Sequence, residues 1–415
     1  TQSIPFFLSK NMYLPRTVEK EIPQLCKNFK VLLVTGMRQV GKSTLLHHLS
    51  EADRNYVSLD NFDDLDLAEQ SPGAFFLQHP LPLFIDEIQR VPKLFRQVKF
   101  EVDKKSDKGQ VWLSGSQRFS LMQGVGDSLA GRVFELHLMP LSIYERLGQG
   151  ALQQPYLPGP TLPKQLSECS TEKLWEMIWQ GAWPALMDKN AKEREQYFEA
   201  FISTFLERDI KTLGNVDKLR EFRKFILALA LRTGQELRLN KLAEMTGVTE
   251  LTVRRWLSVA EASGLIYLLP PFSSNASKTL TKSPKIYFAD TGLAAYLCKF
   301  STPQEMQKDT NAGAFFETFI VTEILKSWRH NGLEPDLYYY RDAKKQTEID
   351  LIIHRNGLYH PVEIKMSSHP KIDMSRHFSE LSSIGVPVGM GAVICNCETP
   401  RFLTDNVIAH SIWQI

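Results

Sequence analysis

A glycine-rich segment near the start of the chain has the spacing of a phosphate-binding loop. Gly36 and Gly41, with four residues between them, lie between the apolar run KVLLVT and the helix-like run STLLHHL. Glycines let backbone N–H groups surround phosphate oxygens, and the helix N-terminus adds its positive dipole. Lys42 should reach the β- and γ-phosphates, and Ser43 should ligate Mg²⁺. ATP and Mg²⁺ are the predicted ligands, contacted by Gly36, Met37, Arg38, Gln39, Val40, Gly41, Lys42, Ser43 and Thr44.

Polar residues at the ends of later strand-like runs complete this predicted site. Asp86 ends LPLFID, where a carboxylate can hold Mg²⁺, and Glu87 can polarise the attacking water. Ser114 and Ser116 end VWLSGS; one of them could sense the γ-phosphate, with Ser116 favoured over a plain polar strand end. Arg132 precedes the next strand and could stabilise transition-state charge, in cis or from a neighbouring subunit. A purely structural arginine is the alternative there.

A second group of chemically capable residues lies in the C-terminal stretch EIDLIIHRNGLYHPVEIK. Asn356-Gly357 between alternating apolar runs predicts a β-hairpin with a two-residue turn. That turn places Asp350 directly opposite Glu363, with Lys365 on the same face. Facing carboxylates repel each other, and a shared divalent cation would turn the repulsion into ligation.

A third acid lies upstream, in AGAFFETFIVTEILKSW. Glu317 shares one helix row with Ile320, Val321 and Ile324. A carboxylate beside such a row is costly unless it is paired or bound to a metal, so Glu317 could complete the metal site. The alternative for the whole group is an ion-pair network in which Glu348 pairs with Lys365.

The stretch NKLAEMTGVTELTVRRWLSVAEASGLIYLL fits a helix-turn-helix. Gly247 makes the turn and Thr249 caps the second helix, while Leu242, Ala243 and Met245 are expected to face inward. Residues 211–300 hold twice as many Lys and Arg as Asp and Glu. A basic surface is what phosphate contact requires. DNA contact is predicted for Thr252, Arg254 and Arg255; a protein-binding module or an ATPase lid is the alternative.

These residues must be positioned by regular secondary structure. In the first 150 positions, strand-like runs alternate with helix-like runs, which predicts an α/β sheet. Strands are expected at 31–36, 55–60, 81–87, 110–116 and 132–141. Residues 150–165 are rich in Pro, Gly and Gln and are expected to form a linker or exposed loop. Helices are expected at 171–232, followed by the helix-turn-helix, a β-ribbon and a C-terminal set of short strands.

Composition bounds the class of protein. The 415 residues are 43% hydrophobic with a net charge of +2, so any nucleic-acid surface must be local. No apolar run approaches the roughly 20 residues of a membrane span, and no signal peptide is evident, so no membrane partner is expected. Five scattered cysteines suit a reducing compartment, which predicts a cytoplasmic location.

The phosphate loop, the DE acid pair, the strand-end serine and the GR before the last strand resemble an AAA+ ATPase. YLPR, RQVGKSTLL, SLAGRVFELHLMPLS, GAWPAL, FLERDI, LRTGQ and FADTGLAAYL resemble a prokaryotic AAA+ family with a C-terminal domain of unknown function. Asp350 followed by Glu363-x-Lys365 resembles the PD-(D/E)xK nucleases, although Ile349 stands where the motif has proline. That resemblance implies metal ligation by Asp350 and Glu363 and a catalytic role for Lys365.

The resemblance implies a P-loop AAA+ parallel-sheet core (1–150), a helical lid (151–215), a winged helix (216–305) and a restriction-endonuclease-like α/β domain (306–415). The predicted function is Mg²⁺-dependent ATP hydrolysis coupled to DNA binding, with DNA cleavage at the C-terminal acids left open. The alternative is an ATP-driven switch or scaffold whose winged helix binds a protein and whose C-terminal domain does not cut. A homo-oligomer is compatible with both, and the DNA substrate and the pathway are not specified.

Overall fold

The computed structural model describes residues 13–116, 129–161, 166, 170–205, 219–273, 283–342 and 344–415. Within these residues the chain forms two compact units. The first takes in 13–116, 129–153 and 182–202, and the second takes in the rest. The bounds of the four predicted domains stay predictions, and the segment predicted as a helical lid contributes residues to both units.

The first unit is built on a five-stranded parallel sheet, as predicted. Its strands are β1 (Val31–Thr35), β2 (Asn55–Ser58), β3 (Leu83–Asp86), β4 (Val111–Gly115) and β5 (Val133–His137), and their order is β2-β3-β4-β1-β5. Every residue of β1, β3 and β4 is buried, because helices cover both faces of a parallel sheet. These buried and mostly apolar runs are why the three strands could be predicted from sequence.

The described α-helices follow in chain order. They are α1 (Ile22–Asn28), α2 (Lys42–Leu49), α3 (Phe62–Gln70), α4 (Pro72–Gln78), α5 (Leu94–Asp103), α6 (Ile143–Arg146), α7 (Thr171–Gln180), α8 (Ala191–Thr204), α9 (Leu219–Leu231), α10 (Leu239–Thr246), α11 (Glu250–Ala262), α12 (Thr291–Leu297), α13 (Pro303–Lys308), α14 (Ala312–Arg329) and α15 (Ser379–Ser383). None of them combines the length and the apolar character needed to cross a bilayer.

The second unit contains two sheets. A three-stranded antiparallel sheet has the order β6-β8-β7, from β6 (Gln235–Glu236), β7 (Ile266–Leu269) and β8 (Lys285–Phe288). A six-stranded mixed sheet has the order β13-β14-β12-β11-β10-β9, from β9 (Asp336–Asp342), β10 (Thr347–Arg355), β11 (Leu358–Ile364), β12 (Gly391–Cys395), β13 (Arg401–Thr404) and β14 (Val407–Ser411). The predicted C-terminal strands are therefore present, with β10 and β11 in the interior of the sheet.

The hairpin of β10 and β11 has the predicted turn and register. Asn356 and Gly357 have φ of 53° and 76°, the left-handed pair that a type I′ turn requires. Leu351 pairs with Val362 and Ile352 with Pro361, which is the predicted register, and Asp350 and Glu363 are the residues that follow directly beyond this end of the ladder. On the other edge of β10, the pairing with β9 is irregular between Ile349 and Ile352, the interval that contains Asp350.

Helices α10 and α11 are joined through Gly247, whose φ of 74° ends α10 as predicted. Thr249 caps α11 by accepting a hydrogen bond from the backbone N–H of Thr252 at 3.3 Å. The prediction that Met245 faces inward is wrong, because its side chain is 44% exposed. The buried stripe of α10 instead runs through Leu242 and Thr246, whose hydroxyl is satisfied by the Leu242 carbonyl at 2.6 Å.

The Pro-rich stretch expected to be a linker or exposed loop is partly buried. Tyr156, only 3% exposed, lies near its middle, and its backbone N–H donates to Ser327 Oγ at 3.0 Å. Its hydroxyl lies 2.7 Å from His410 Nε2, and its carbonyl accepts from Trp328 Nε1 at 2.9 Å. Prolines prevent regular structure here, but they do not prevent a large aromatic side chain from packing in a core.

Candidate functional site

The phosphate loop between β1 and α2 has the backbone shape that anion binding requires. Gly36, Gln39 and Gly41 have φ of 143°, 62° and 95°. Residues alternating between left- and right-handed conformations turn successive N–H groups toward one concave side. Gly36 admits no side chain, because a Cβ there would lie 2.1 Å from the carbonyl oxygen of Leu138. Lys42 lies at the start of α2, and its ammonium donates to the carbonyls of Gly36 at 3.0 Å and Met37 at 2.8 Å.

Three elements converge on the carboxylate of Asp86. Ser43 at the start of α2 donates its hydroxyl to Asp86 Oδ1 at 3.0 Å. Ser114 of β4 donates to the same oxygen. Convergence follows from the strand order, because β4 lies between β1 and β3 and all three carboxyl ends meet at one edge of the sheet. The structure thus brings the predicted loop and the predicted acid together.

Glu87 and Ser116 extend this edge. Glu87 adopts a left-handed φ of 58°, its N–H donates to Asp86 Oδ1 at 3.2 Å, and its carboxylate accepts from the side-chain amide of Gln89. Ser114, rather than the favoured Ser116, contacts the acid. Ser116 is 8% exposed, and its buried Oγ has no hydrogen-bond partner within the described residues. Its role at the γ-phosphate stays a prediction.

Arg132 does not reach the phosphate loop of its own chain, so the cis half of that prediction is wrong. Its carbonyl accepts from the N–H of Val31 at 3.0 Å, at the start of β1, whereas the loop follows the other end of β1. Five strand residues separate these ends by about 16 Å. The guanidinium instead binds both carboxylate oxygens of Asp103, at 2.7 and 2.9 Å. Action from a neighbouring subunit stays a prediction.

Two residues that the sequence analysis gave no role hold the loop from outside. Arg16, 4% exposed, donates to the carbonyl of Val40 at 2.8 Å, and its Nε lies 3.1 Å from Glu145 Oε1. Trp183 donates its indole N–H to the carbonyl of Arg38 at 3.0 Å. Both residues lie in motifs that carried the family resemblance, YLPR and GAWPAL, and this was the only signal for them in the sequence. Spacing along the chain cannot show that these two side chains contact the phosphate loop.

The N-terminal site fits a nucleotide with Mg²⁺. The loop presents N–H groups and the lysine, Ser43 and Asp86 supply the two oxygens that Mg²⁺ sites of this kind use, and Ser116 retains an unpaired buried hydroxyl among the described residues.

The C-terminal acids form a second, separate cluster. Asp350 and Glu363 are 8% and 6% exposed, and Lys365 Nζ bridges them at 3.6 Å from Asp350 Oδ2 and 2.6 Å from Glu363 Oε1. The backbone N–H of Ile364 donates to Asp350 Oδ2 at 2.9 Å, so the carboxylate satisfies a backbone donor just beyond the Leu351–Val362 end of the hairpin ladder. The predicted juxtaposition of the two acids and the lysine is present.

Glu317 on α14 has different partners. Its Oε1 accepts from Lys285 Nζ at 3.1 Å and from the Tyr287 hydroxyl at 2.6 Å, both from β8. Lys285 also lies 2.7 Å from Glu348, so Lys285 rather than Lys365 is the close lysine partner of Glu348. The sequence analysis missed Lys285 and Tyr287, although their i, i+2 spacing in KIYF places them on one strand face.

Burial perturbs the proton affinity of these groups. It raises the pKa of Glu363 to about 8, reinforced by Asp350 and opposed by Lys365. It raises the pKa of Glu317 to about 7, opposed by Lys285. Burial alone would lower the pKa of Lys285, but the surrounding Tyr287 and Glu317 raise it well above its usual value. The two lysines therefore stay charged and stabilise the acids.

The fit of this cluster to a metal is partial. Glu363 Oε2 is buried and has no hydrogen-bond partner within the described residues, so one oxygen is free to accept a ligand. Across the described residues, however, no group of three or more His, Cys, Asp and Glu is arranged to hold a metal ion. Asp350 and Glu363 form a facing pair, and Glu317 is held by Lys285 and Tyr287. Joint ligation by the three acids stays a prediction.

The exposed face of α11 carries the residues predicted to contact DNA. Arg254 and Arg255 are exposed, and Thr252 is half-buried. Val253 and Trp256 are buried on the opposite side of the helix. Leu251 on the same helix is 61% exposed. The face is therefore both basic and apolar.

Comparison with known families divides the chain into three matched regions. Residues 28–147 match the family described as AAA domain. Residues 171–304 match a domain of unknown function (DUF8612), and residues 312–415 match another domain of unknown function (DUF4143). The first match, together with the loop and acid geometry, supports a P-loop ATPase of the AAA type.

Relatives extend over most of the chain. The uncharacterized proteins Rv2008c of Mycobacterium tuberculosis and Mb2031c of Mycobacterium bovis are each 27% identical over 386 residues, covering 93% of this chain and 80% of the relative. Among solved structures, the Walker-type ATPase PABY2304 of Pyrococcus abyssi aligns with 68% of this chain and 94% of its own, at 15% identity and a TM-score of 0.40. The AAA-domain match and the site geometry, rather than this overall likeness, carry the assignment.

Proposed function

We propose that the protein is a Mg²⁺-dependent AAA-type ATPase whose nucleotide cycle is coupled to DNA. The observation that carries the ATPase part is the meeting of Ser43 and Ser114 on Asp86, at the sheet edge where Lys42 begins α2. This is the arrangement in which a phosphate loop and a metal-holding carboxylate serve one nucleotide.

Each residue has a distinct task in this proposal. Lys42 exchanges its bonds to the Gly36 and Met37 carbonyls for phosphate oxygens, while the loop N–H groups bind the remaining charge. Glu87, oriented by Gln89, accepts the proton of the attacking water. Mg²⁺, when bound through Ser43 and Asp86, neutralises charge that develops on the phosphates.

The test is ATP turnover with purified full-length protein in Mg²⁺. Lys42→Ala and Asp86→Asn should each lower kcat by about a hundredfold or more, since each removes an interaction with developing charge. Lys105→Ala, at an exposed lysine of the same unit, should leave turnover unchanged. Turnover that survives both substitutions would refute the assignment of this site.

DNA binding is proposed for the α10–α11 region. It is supported by a three-stranded sheet beside three helices, the arrangement of a winged helix, and by exposed Arg254 and Arg255 on α11. Arg254→Gln and Arg255→Gln should each weaken DNA binding and reduce the slope of log K against log salt by about one. An affinity that does not change with salt would rule out this mode of contact.

DNA cleavage is proposed for the Asp350, Glu363 and Lys365 cluster. The supporting observation is that Lys365 bridges the two facing carboxylates. In this position its ammonium could stabilise a scissile phosphate held next to the two acids. Plasmid and single-stranded DNA should be cut by the wild type in Mg²⁺ or Mn²⁺ and not by Asp350→Ala. Lys308→Ala, an exposed lysine of the same unit, is the matched control.

The switch or scaffold is the second candidate, and one observation favours it. Leu251 and Met245 expose 61% and 44% of their surface around α10 and α11, which suits a protein partner better than a phosphate backbone. If Lys42→Ala abolishes ATP turnover while neither wild type nor Asp350→Ala cuts DNA under any nucleotide condition, the switch or scaffold hypothesis replaces the nuclease hypothesis.

The proposed action of Arg132 from a neighbouring subunit has its own test. If a second subunit supplies Arg132, the rate of ATP turnover per protein molecule should rise with protein concentration.

A further inference from the structure

A basic pocket of about 450 Å³ in the second unit belongs to none of the roles above. It lies where the segment between α9 and α10 meets β8, β9 and β10. Five cationic side chains line it: Arg232, Arg238, Lys241, Lys285 and Arg341. A volume of this size matches a mononucleotide-sized ligand.

Two carboxylates in the wall orient the cations without neutralising them all. Glu236 lies 3.2 Å from Arg341 and 3.7 Å from Arg238. Glu348 lies 2.7 Å from Lys285 and 3.8 Å from Arg341. Just outside the wall, Glu317 pairs with Lys285 at 3.1 Å and Glu244 with Lys241 at 3.2 Å. Five cations against these four carboxylates leave an excess of one positive charge, and Arg232 has no ion-pair partner within the described residues, which favours an anion in the cavity.

Two buried groups show that the pocket is more than a solvated charged surface. The Lys285 side chain is 4% exposed, so one wall is a desolvated ammonium. Arg232 Nε is buried and has no hydrogen-bond partner within the described residues. An unsatisfied buried donor is costly, and an anion that accepts from it would remove that cost.

We propose that this pocket binds a terminal phosphate group, as a phosphomonoester or a pyrophosphate. A phosphomonoester carries about 1.5 to 2 negative charges and three acceptor oxygens, so it can accept from more of these donors at once than a phosphodiester can. Arginine forks, such as those of Arg232 and Arg341, match the geometry of phosphate oxygens. Two sources share this chemistry: a free nucleotide and the 5′-phosphorylated end of a nucleic acid. Because Lys285 also binds Glu317, the anion would lie beside the C-terminal acids.

The experiment uses the full chain carrying Lys42→Ala, so that the phosphate loop does not contribute and the result is independent of the proposed ATPase activity. Calorimetric titration with inorganic pyrophosphate and with AMP should show one site. Arg341→Gln and Arg238→Gln should each weaken binding by about tenfold, the loss of one charge-assisted contact. Their side chains are 42% and 60% exposed, so folding should not depend on them.

Two control variants should not weaken the binding of pyrophosphate. Glu236→Gln removes a competing carboxylate and should tighten binding, whereas Lys308→Gln lies outside the pocket and should leave it unchanged. Competition by a 5′-phosphorylated oligonucleotide, and not by its 5′-hydroxyl form, would identify a nucleic-acid end as the source. Competition by AMP alone would identify a free nucleotide. Absence of binding by pyrophosphate, AMP and the phosphorylated oligonucleotide, or affinities unaffected by the pocket variants, would overturn the proposal.

Discussion

The ion pair of Arg16 with Glu145 offers a quantitative test of how the phosphate loop is held. The two side chains are 3% and 0% exposed, and Arg16 also donates to the carbonyls of Val40 and Met139, each at 2.8 Å. Arg16→Met leaves a buried carboxylate without its cation and two carbonyls without a donor. Breaking such a pair costs about 3–5 kcal/mol.

The expected cost lies at the lower end of that range, about 3 kcal/mol, because Glu145 keeps other donors. Its carboxylate still accepts from the backbone N–H of Thr17 at 2.8 Å and of Ser142 at 2.9 Å. Glu145→Gln keeps the shape and removes the charge, so it should cost about 2 kcal/mol. The double variant removes both charges and should cost about 2 kcal/mol less than the sum of the singles.

Hydrogen exchange of the β1 amides is the suitable assay, because it reports opening of this unit even if the other unit unfolds separately. The KM for ATP should rise for Arg16→Met, because Val40 belongs to the phosphate loop, and Lys27→Met at an exposed site of α1 should change neither quantity. Single and double variants that add within about 0.5 kcal/mol would refute a direct interaction between the two side chains.

Three further outcomes are expected. Gly36→Ala should weaken nucleotide binding by about tenfold or more, measured by titration, since its Cβ would lie 2.1 Å from the Leu138 carbonyl oxygen; Gly73→Ala, with no atom within 4 Å, is the control. Burial lowers the pKa of His410 from 6.5 to about 4, so the unfolded chain takes up its proton first as pH falls. Urea unfolding should therefore show a stability loss of about 3 kcal/mol between these pH values that His410→Gln lacks. Burial raises the pKa of Glu363 from 4.5 to about 8, so the folded state binds that proton more tightly and loses stability as pH rises through this range. Glu363→Gln should melt higher than the wild type at pH 9 and about equally at pH 4, below the unfolded pKa of 4.5, and equal melting at both values would contradict the burial argument.

Local chemistry explains which parts of the candidate sites could be predicted. The central strands β1, β3 and β4 are short, mostly apolar runs, and β1 to β5 were expected close to where they occur. The Asn356-Gly357 turn sets its own backbone geometry, and a two-residue loop admits one register, so the facing of Asp350 and Glu363 followed from adjacent residues.

Local patterns could not assign contacts to partners from a distant part of the chain. Ser114 and Ser116 are indistinguishable as strand-end serines, and only the position of β4 beside β3 decides that Ser114 meets Asp86. Arg132 was placed near the phosphate from its sequence context, but strand direction puts it at the opposite end of β1.

By itself, the sequence determined the phosphate loop, the acid that follows β3 and the hairpin that sets two carboxylates face to face. Each depends on residues within one turn or one strand, whose backbone preferences are local. Only the tertiary structure decided which cations satisfy those acids, because Lys285 of β8 reaches Glu317 of α14 and Glu348 of β10 across sheet and helix packing. The free energy of a buried charge depends on partners that packing brings together, and spacing along the chain does not specify them.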